Sequence, residues 1–253
     1  MAELSNRELL NIAEKIAVKA GDILKKSKAE VILSMGKDIK ISSDKESHKI
    51  IIKGLSKTGI KIISEEDDFH QFGMNYSWVV DPLDGSMNFF KKIPISAVSI
   101  GLIRNGKSIL GVVYDFNRDE MFTGIVGEGA WLNGERIYVS KIKEKNEAVI
   151  ATGFPSYTNF SKKSLEEYIS LIQDFKKVRL LGSASISLAY LACGRVDAYY
   201  EKDIKIWDVA GGMAIVEAGG GQCSNFEFDK KNQGVVLVAA TKNLHEDFCA
   251  SIV

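Results

Sequence analysis

The chain's pattern becomes β from Ala97 and then alternates, and that order limits the folds open to it. From Ala97 onward it reads as four β stretches, "AVSIGLI", "SILGVVYDF", "EMFTGIV" and "ERIYVS". The punctuation between them, "RNG", "NRDE" and "LNGE", is hairpin chemistry, because Asn, Asp and Gly tolerate the backbone that tight turns need. After these hairpins, strands and helices alternate. "EAVIATGF", "KVRLL", "VDAYYE" and "GVVLVAA" read as strands. The helices between and after them are residues 164–176, "SASISLAYLACG", "WDVAGGMAIVEAGG" and "NLHEDFCASIV". Hairpins joined to such alternation indicate an α+β half followed by an α/β layer.

The N-terminal part supplies the helices for the first half. Residues 6–27 carry Leu9, Ile12, Ile16, Ile23 and Leu24 at three-and-four spacing, with Ser5 and Glu8 spaced as a capping box. Ser43 and Glu46 repeat that spacing before a second helix over 44–57, which Gly59 closes. Ser164 and Glu167 do so again for 164–176. "IKIISEEDD" is a short buried strand entering an acidic loop, and Tyr76–Val80 is a strand that ends at Asp81. The division is 1–140, an α+β half, and 141–253, an α/β half. With only three prolines and no flexible linker, the two form one compact unit with the active site between them.

Lys+Arg and Asp+Glu are equal at 33 each, so no net field favours nucleic acid or an anionic membrane. No apolar run approaches the ~18 residues of a membrane span. The three cysteines, Cys193, Cys223 and Cys249, are far apart and odd in number, which suits a reducing compartment. A cytoplasmic, soluble protein is expected. His48, His70 and His245 lack zinc-site spacing with any cysteine and are assigned to surface or core.

The stretch "WVVDPLDGSMNFF", Trp78–Phe90, holds Asp81 and Asp84 across a proline that presets φ for a turn. Their carboxylates and the Leu83 carbonyl are hard oxygen donors of the kind Mg²⁺ or Mn²⁺ prefers. Gly85 lets backbone approach a ligand closely, and Ser86 stands where a helix begins, with its N–H and hydroxyl able to face an anion. Read alone, Asp84 and Ser86 merely cap a turn and a helix, since turns are rich in these residue types. Taken singly, "SEEDD" with Glu65 and Glu66 is a solvated loop, Asp208 an N-cap beside a core Trp207, and Asp44 a first-turn acid. All four acidic features nevertheless sit at strand ends or helix starts, where α/β folds collect ligands.

Together, "WVVDPLDGSMNF" and "WDVAGGMAIVEAGG" resemble the inositol monophosphatase-like family of Mg²⁺-dependent, lithium-sensitive phosphatases. That family includes fructose-1,6-bisphosphatases and 3′(2′),5′-bisphosphate nucleotidases. The likeness extends through "SEE", "GVVYDFNRDEMFTGIVGEGAWLNGERI" and "LLGSASISLAYLACGRVDAYYE", nearly the whole chain. It implies a sugar-phosphatase-type αβαβα sandwich, a homodimer, and two or three Mg²⁺ ions, with Mn²⁺ able to substitute. Carried over by residue, it implies that Glu65, Asp81, Asp84, Asp208 and the Leu83 carbonyl ligate metal. Gly85 and Ser86 would seat the phosphate through their N–H groups. Asp44 and the Ser86 hydroxyl, beside Glu65, would orient and deprotonate a water. Gly182, Ser183, Ala184 and Glu201 would hold the polyol next to Asp208.

The chain departs from the family pattern at three places. Ser86 stands for a usual Thr and keeps the hydroxyl. Ile41 stands where a Thr normally lies, leaving Ser42 or Ser43 to replace it. "SEE" replaces Gly-Glu-Glu without loss of a ligand. The partner implied is a small-molecule phosphate ester, with neither nucleic acid nor membrane. Glu201 favours free hydroxyls on that ester and puts inositol monophosphate first. Fructose-1,6-bisphosphate comes second and a bisphosphate nucleotide third. Lys202 and Lys205 are either second-phosphate contacts or solvated lysines. A non-catalytic interaction protein on the same scaffold ranks last, because every implied ligand is present.

Overall fold

The computed structural model of the protein describes residues 4–27, 31–35, 38–65, 76–154, 161–228 and 234–250. Glu66 and His70 lie outside the described residues. The chain opens with α1 (Asn6–Lys26), the hairpin β1 (Val31–Met35) and β2 (Asp38–Ile41), and α2 (Ser42–Leu55). Then come β3 (Lys61–Ser64), β4 (Tyr76–Asp84) and the short α3 (Ser86–Phe90). A meander follows: β5 (Ala97–Arg104), β6 (Lys107–Asp115), β7 (Glu120–Ile125), β8 (Gly129–Leu132) and β9 (Glu135–Ile137). The remainder alternates as β10 (Val149–Thr152), α4 (Lys162–Ile172), β11 (Lys177–Leu180), α5 (Ala184–Ala192), β12 (Ala198–Lys205) and α6 (Ile206–Ala218). It closes with β13 (Gln222–Phe228), β14 (Gly234–Ala240) and α7 (Lys242–Ala250).

Two sheets result. One has the order β3-β4-β5-β6-β7-β8-β9, antiparallel except for the β3–β4 pair. The other has the order β11-β10-β12-β14-β13, with β11, β10 and β12 parallel. Strand alternation decides what each face touches. Trp78 and Val80 of β4 join Ile100 and Val112 under Leu10, Ala17 and Leu24 of α1 and Ile51 of α2. Val79, between them in sequence, faces the other way with Val113 and Phe122, onto α5 and α6 through Leu188 and Ile215. That same helical layer meets Tyr199, Leu237 and Ala239 of the second sheet. The far side of the second sheet, with Ile150, Tyr200 and Val238, is covered by Ile172 before α4 ends and by Leu244 and Phe248 of α7. The layers therefore run α, β, α, β, α.

The middle helix layer sits close to the first sheet because glycines let it. Gly101, Gly111 and Gly124 are direct cross-strand partners on β5, β6 and β7. A Cβ on Gly111 would lie 2.0 Å from the carbonyl oxygen of Gly211 in α6, and one on Gly101 would lie 2.8 Å from α6 backbone. A trench without side chains thus crosses three strands, and α6 lies in it.

Several local expectations are corrected. Ser43 does not cap α2. The helix starts at Ser42 with Ile41 in the cap position, and the Ser43 hydroxyl instead accepts a hydrogen bond from Ser27 at 2.8 Å. At α4 the cap moves one turn earlier, where Ser161 Oγ accepts from the Ser164 N–H at 3.3 Å, and the helix stops at Ile172. Asp208 is not an N-cap but the third residue of α6. The β1–β2 hairpin, β8 and β13 went unread, because none shows a clean run of alternating apolar residues. Finally, β4 does not turn at Pro82: it continues to Asp84.

Candidate active site

The last correction explains how the two aspartates meet. Asp81 pairs with Ser99 and Asp84 with Ala97, so β4 takes three steps while β5 takes two. One extra residue in a strand is a bulge, and it turns the next side chain to the other face. Regular alternation would send Asp81 and Asp84 to opposite faces; the bulge returns them to one. Pro82, without an N–H, fits the point where the ladder is interrupted. The Asp81 carboxylate accepts from the Leu83 N–H at 2.9 Å, and the Ser47 hydroxyl of α2 donates to the Pro82 carbonyl at 2.8 Å.

Asp81 and Asp84 open into a cavity of about 440 Å³ lined from both sheets. Glu65, Leu83, Gly85, Ser86 and Asp208 line it with them. Gly182, Ser183, Ala184 and Glu201 line it from the second half, together with Lys205. Asp44 does not line it. It is buried on α2, with one carboxylate oxygen accepting from the Ile41 N–H at 3.0 Å. Asp208 repeats that arrangement on α6, accepting from the Lys205 N–H at 3.2 Å. Two of the acids singled out in the sequence are thus third residues of helices, each anchored back to its cap residue. Lys202 is exposed and away from the cavity.

Contacts invisible in the sequence hold the arrangement. One Asp84 oxygen accepts from the Ser183 hydroxyl at 2.5 Å, from the Ser185 N–H at 2.8 Å and from the Ser185 hydroxyl. Asp84 therefore anchors the start of α5 to the end of β4. Asn88 of α3 donates to the carbonyls of Ile95 at 2.9 Å and Leu181 at 2.8 Å, fixing the approach of Gly182. Gly85 has φ +81, and a Cβ there would meet the Ile95 carbonyl at 2.8 Å; only glycine fits both conditions. The Ser86 hydroxyl donates to the Leu83 carbonyl at 2.9 Å. Ser185, Asn88 and Ser47 carry no motif of their own, and only the fold shows their partners.

The acids of the cavity raise one another's affinity for protons. Burial holds the Asp81 carboxyl well above the ordinary range, and Glu65, Asp84 and Asp208 push it further. Asp208 is raised well above it too, by burial and then by Asp84, Glu65 and Glu201. Burial also raises Asp84, against the opposing hydrogen bonds from Ser183 and Ser185. Carboxylates that raise one another in this way are stabilised by a divalent cation. The donors are all hard oxygens, so the residues fit Mg²⁺. Among the described residues no three of these groups already converge on one point.

Comparison with known proteins gives the family. The model of the inositol monophosphatase family matches residues 5–253. The chain belongs to the inositol monophosphatase family. Among curated relatives of this family member, "Nus factor SuhB" of Pasteurella multocida is 37% identical over 227 residues, covering 86% of this chain and 85% of that one. Among solved structures, the extragenic suppressor protein suhB of Bartonella henselae superposes with a TM-score of 0.85 at 32% identity, covering 96% of this chain and 98% of that one. The inositol monophosphatase from Anabaena (Nostoc) sp. PCC 7120 gives a TM-score of 0.84 at 31% identity, covering 97% and 95%. The layered sandwich of the family is therefore the fold of this chain.

Proposed function

We propose that the protein is a Mg²⁺-dependent phosphoric monoester hydrolase acting on a polyol or sugar monophosphate, with inositol monophosphate the first candidate. The observation that carries this is the cavity itself. It sets Glu65, Asp81, Asp84 and Asp208 beside the backbone of Gly85 and Ser86, with Glu201 across from them. Glu65, Asp81, Asp84, Asp208 and the Leu83 carbonyl would hold the ions. When bound, these neutralise the phosphate dianion, acidify water and stabilise the departing alkoxide. The N–H groups of Gly85 and Ser86 receive phosphate oxygens. The Ser86 hydroxyl, already donating to Leu83, keeps its lone pairs for the O–H of an attacking water. Glu201, Gly182, Ser183 and Ala184 receive the polyol.

Phosphate release from inositol 1-phosphate, fructose 1,6-bisphosphate and 3′-phosphoadenosine 5′-phosphate with Mg²⁺ tests the reading. Release from inositol 1-phosphate should be fastest, and Asp84→Asn should lower it by about 100-fold or more while the protein stays folded. Turnover of no ester by protein that binds Mg²⁺ would sink it. We place the protein in the cytoplasm, in keeping with the absence of any described helix long and apolar enough to cross a membrane. The homodimer is checked by light scattering. The name "Nus factor" on the curated relatives supports a second reading, in which the chain also serves as a factor of that kind. Asp84→Asn separates the two in cells lacking their own relative. Rescue by the inactive variant favours the second role, and failure to rescue favours the first.

A further inference from the structure

The polyol side of the cavity rests on three residues from two strands. Glu201 of β12 is almost fully buried, and its carboxylate accepts a hydrogen bond from the Tyr199 hydroxyl at 2.6 Å. Tyr199 lies two residues earlier on the same strand, so both side chains leave one face of the sheet. Gly153, just past the end of β10, floors the carboxylate. A Cβ there would stand 2.6 Å from each Glu201 oxygen. The position of Gly153 is itself fixed, because the preceding Thr152 donates to the Tyr200 carbonyl at 2.6 Å and pairs with Tyr200 in the sheet. Tyr199 has no solvent exposure, and burial and then the Glu201 charge hold its phenol well above the usual range. It remains a donor at any working pH.

We infer that Tyr199 is a positioning residue, and that Gly153 and Tyr199 together fix Glu201 as a rigid acceptor for a hydroxyl on the leaving group of the ester. This rests on the proposed phosphatase reading and deepens it. Tyr199 occupies one carboxylate oxygen, Gly153 leaves the other no side chain to contend with, and the free lone pairs face the cavity that Glu201 lines. A preset acceptor binds a hydroxyl without first ordering its own side chain. Discrimination should therefore depend on whether the leaving group has a hydroxyl to offer, a property separate from phosphate recognition at Gly85 and Ser86. Esters of polyols gain from this wall, and esters of plain phenols do not.

The test compares inositol 1-phosphate with phenyl phosphate, whose leaving group has no further hydroxyl, in the Mg²⁺-loaded protein. Tyr199→Phe should lower the ratio of kcat/KM for the two esters by about tenfold, with the loss in KM for inositol 1-phosphate. Gly153→Ala approaches the same carboxylate from the other side and should lower the ratio similarly. In a Glu201→Gln background Tyr199→Phe should change the ratio little further, since the two act as a unit. A purely structural role would lower both esters together and leave the ratio where it was. A ratio unchanged in both single variants overturns the inference while the phosphatase reading stands. An unaltered protein that releases phosphate from neither ester overturns both.

Discussion

Asp84 shows how much a single side chain carries here. One of its oxygens takes three hydrogen bonds from Ser183 and Ser185 of the second half, while the residue itself lies in the bulge of β4 in the first. Ser185→Ala removes one of those donors from a buried carboxylate. It should cost about 1–3 kcal/mol of stability and weaken Mg²⁺ binding, read by denaturant unfolding and calorimetry. Unchanged stability and affinity would mean that the Ser185 N–H alone suffices. Asp203 is a different case: it lines the cavity in a left-handed conformation, φ +63, in the irregular step of β12 between Glu201 and Ile204. Asp203→Gly should relieve about 1 kcal/mol of that strain and raise the thermal midpoint. A lower midpoint would show that its side chain is held by contacts worth more. The aspartates of the motif were legible in the sequence because their spacing to Gly85 and Ser86 is a local signal. Ser185, Asn88 and Tyr199 were not, because their roles arise from partners on other elements or from a register that no local pattern fixes.

Among the elements, α6 has the least freedom. Its backbone lies against Gly101 and Gly111, and it brings Asp208 to the cavity from its first turn. Gly111→Ala should destabilise the protein by about 2–3 kcal/mol, measured as a lower urea midpoint, because the new methyl meets backbone rather than a movable side chain. A midpoint within error of the unaltered protein would show that α6 can retreat. Helix α1 was readable in advance from its apolar period and the meander from its turn residues, whereas α5 and α6 are apolar almost all round and were marked by the glycines that close them. The start of α2 was not. Ser43 suits a cap as well as a first turn, and only its hydrogen bond from Ser27 and the start of the helix at Ser42 show which it is. The bulge at Pro82 was misread as a turn for a related reason: proline presets the same φ in either setting.

At the scale of the whole molecule, the acid cluster makes stability depend on pH. Asp81 and Asp208 have folded-state pKa values raised well above their ordinary ones, and burial lifts Glu201 to about 7. The folded state therefore binds more protons than the unfolded chain between the ordinary carboxylate range and neutrality. Without metal, the contribution of these groups is fully present below pH ~4 and is lost as pH rises through the raised values. The thermal midpoint of metal-free protein should fall from pH 5 to pH 8, and Mg²⁺ should raise it more at pH 8 than at pH 5. Equal Mg²⁺-induced shifts at the two pH values would contradict the coupling of these acids to the ion.

The row of Gly101, Gly111 and Gly124 also bears on how the chain reaches this structure. These three are aligned only in one pairing of β5, β6 and β7. Slide any strand by two residues and a larger residue enters the row: Ser99 or Ile103 on β5, Ile109 or Val113 on β6, Phe122 on β7. The docking surface for α6 would then be obstructed. The row works as a key: the helix seats only on a meander whose register is already correct. A misaligned sheet therefore leaves α6 unseated, and with it Asp208 away from the other acids.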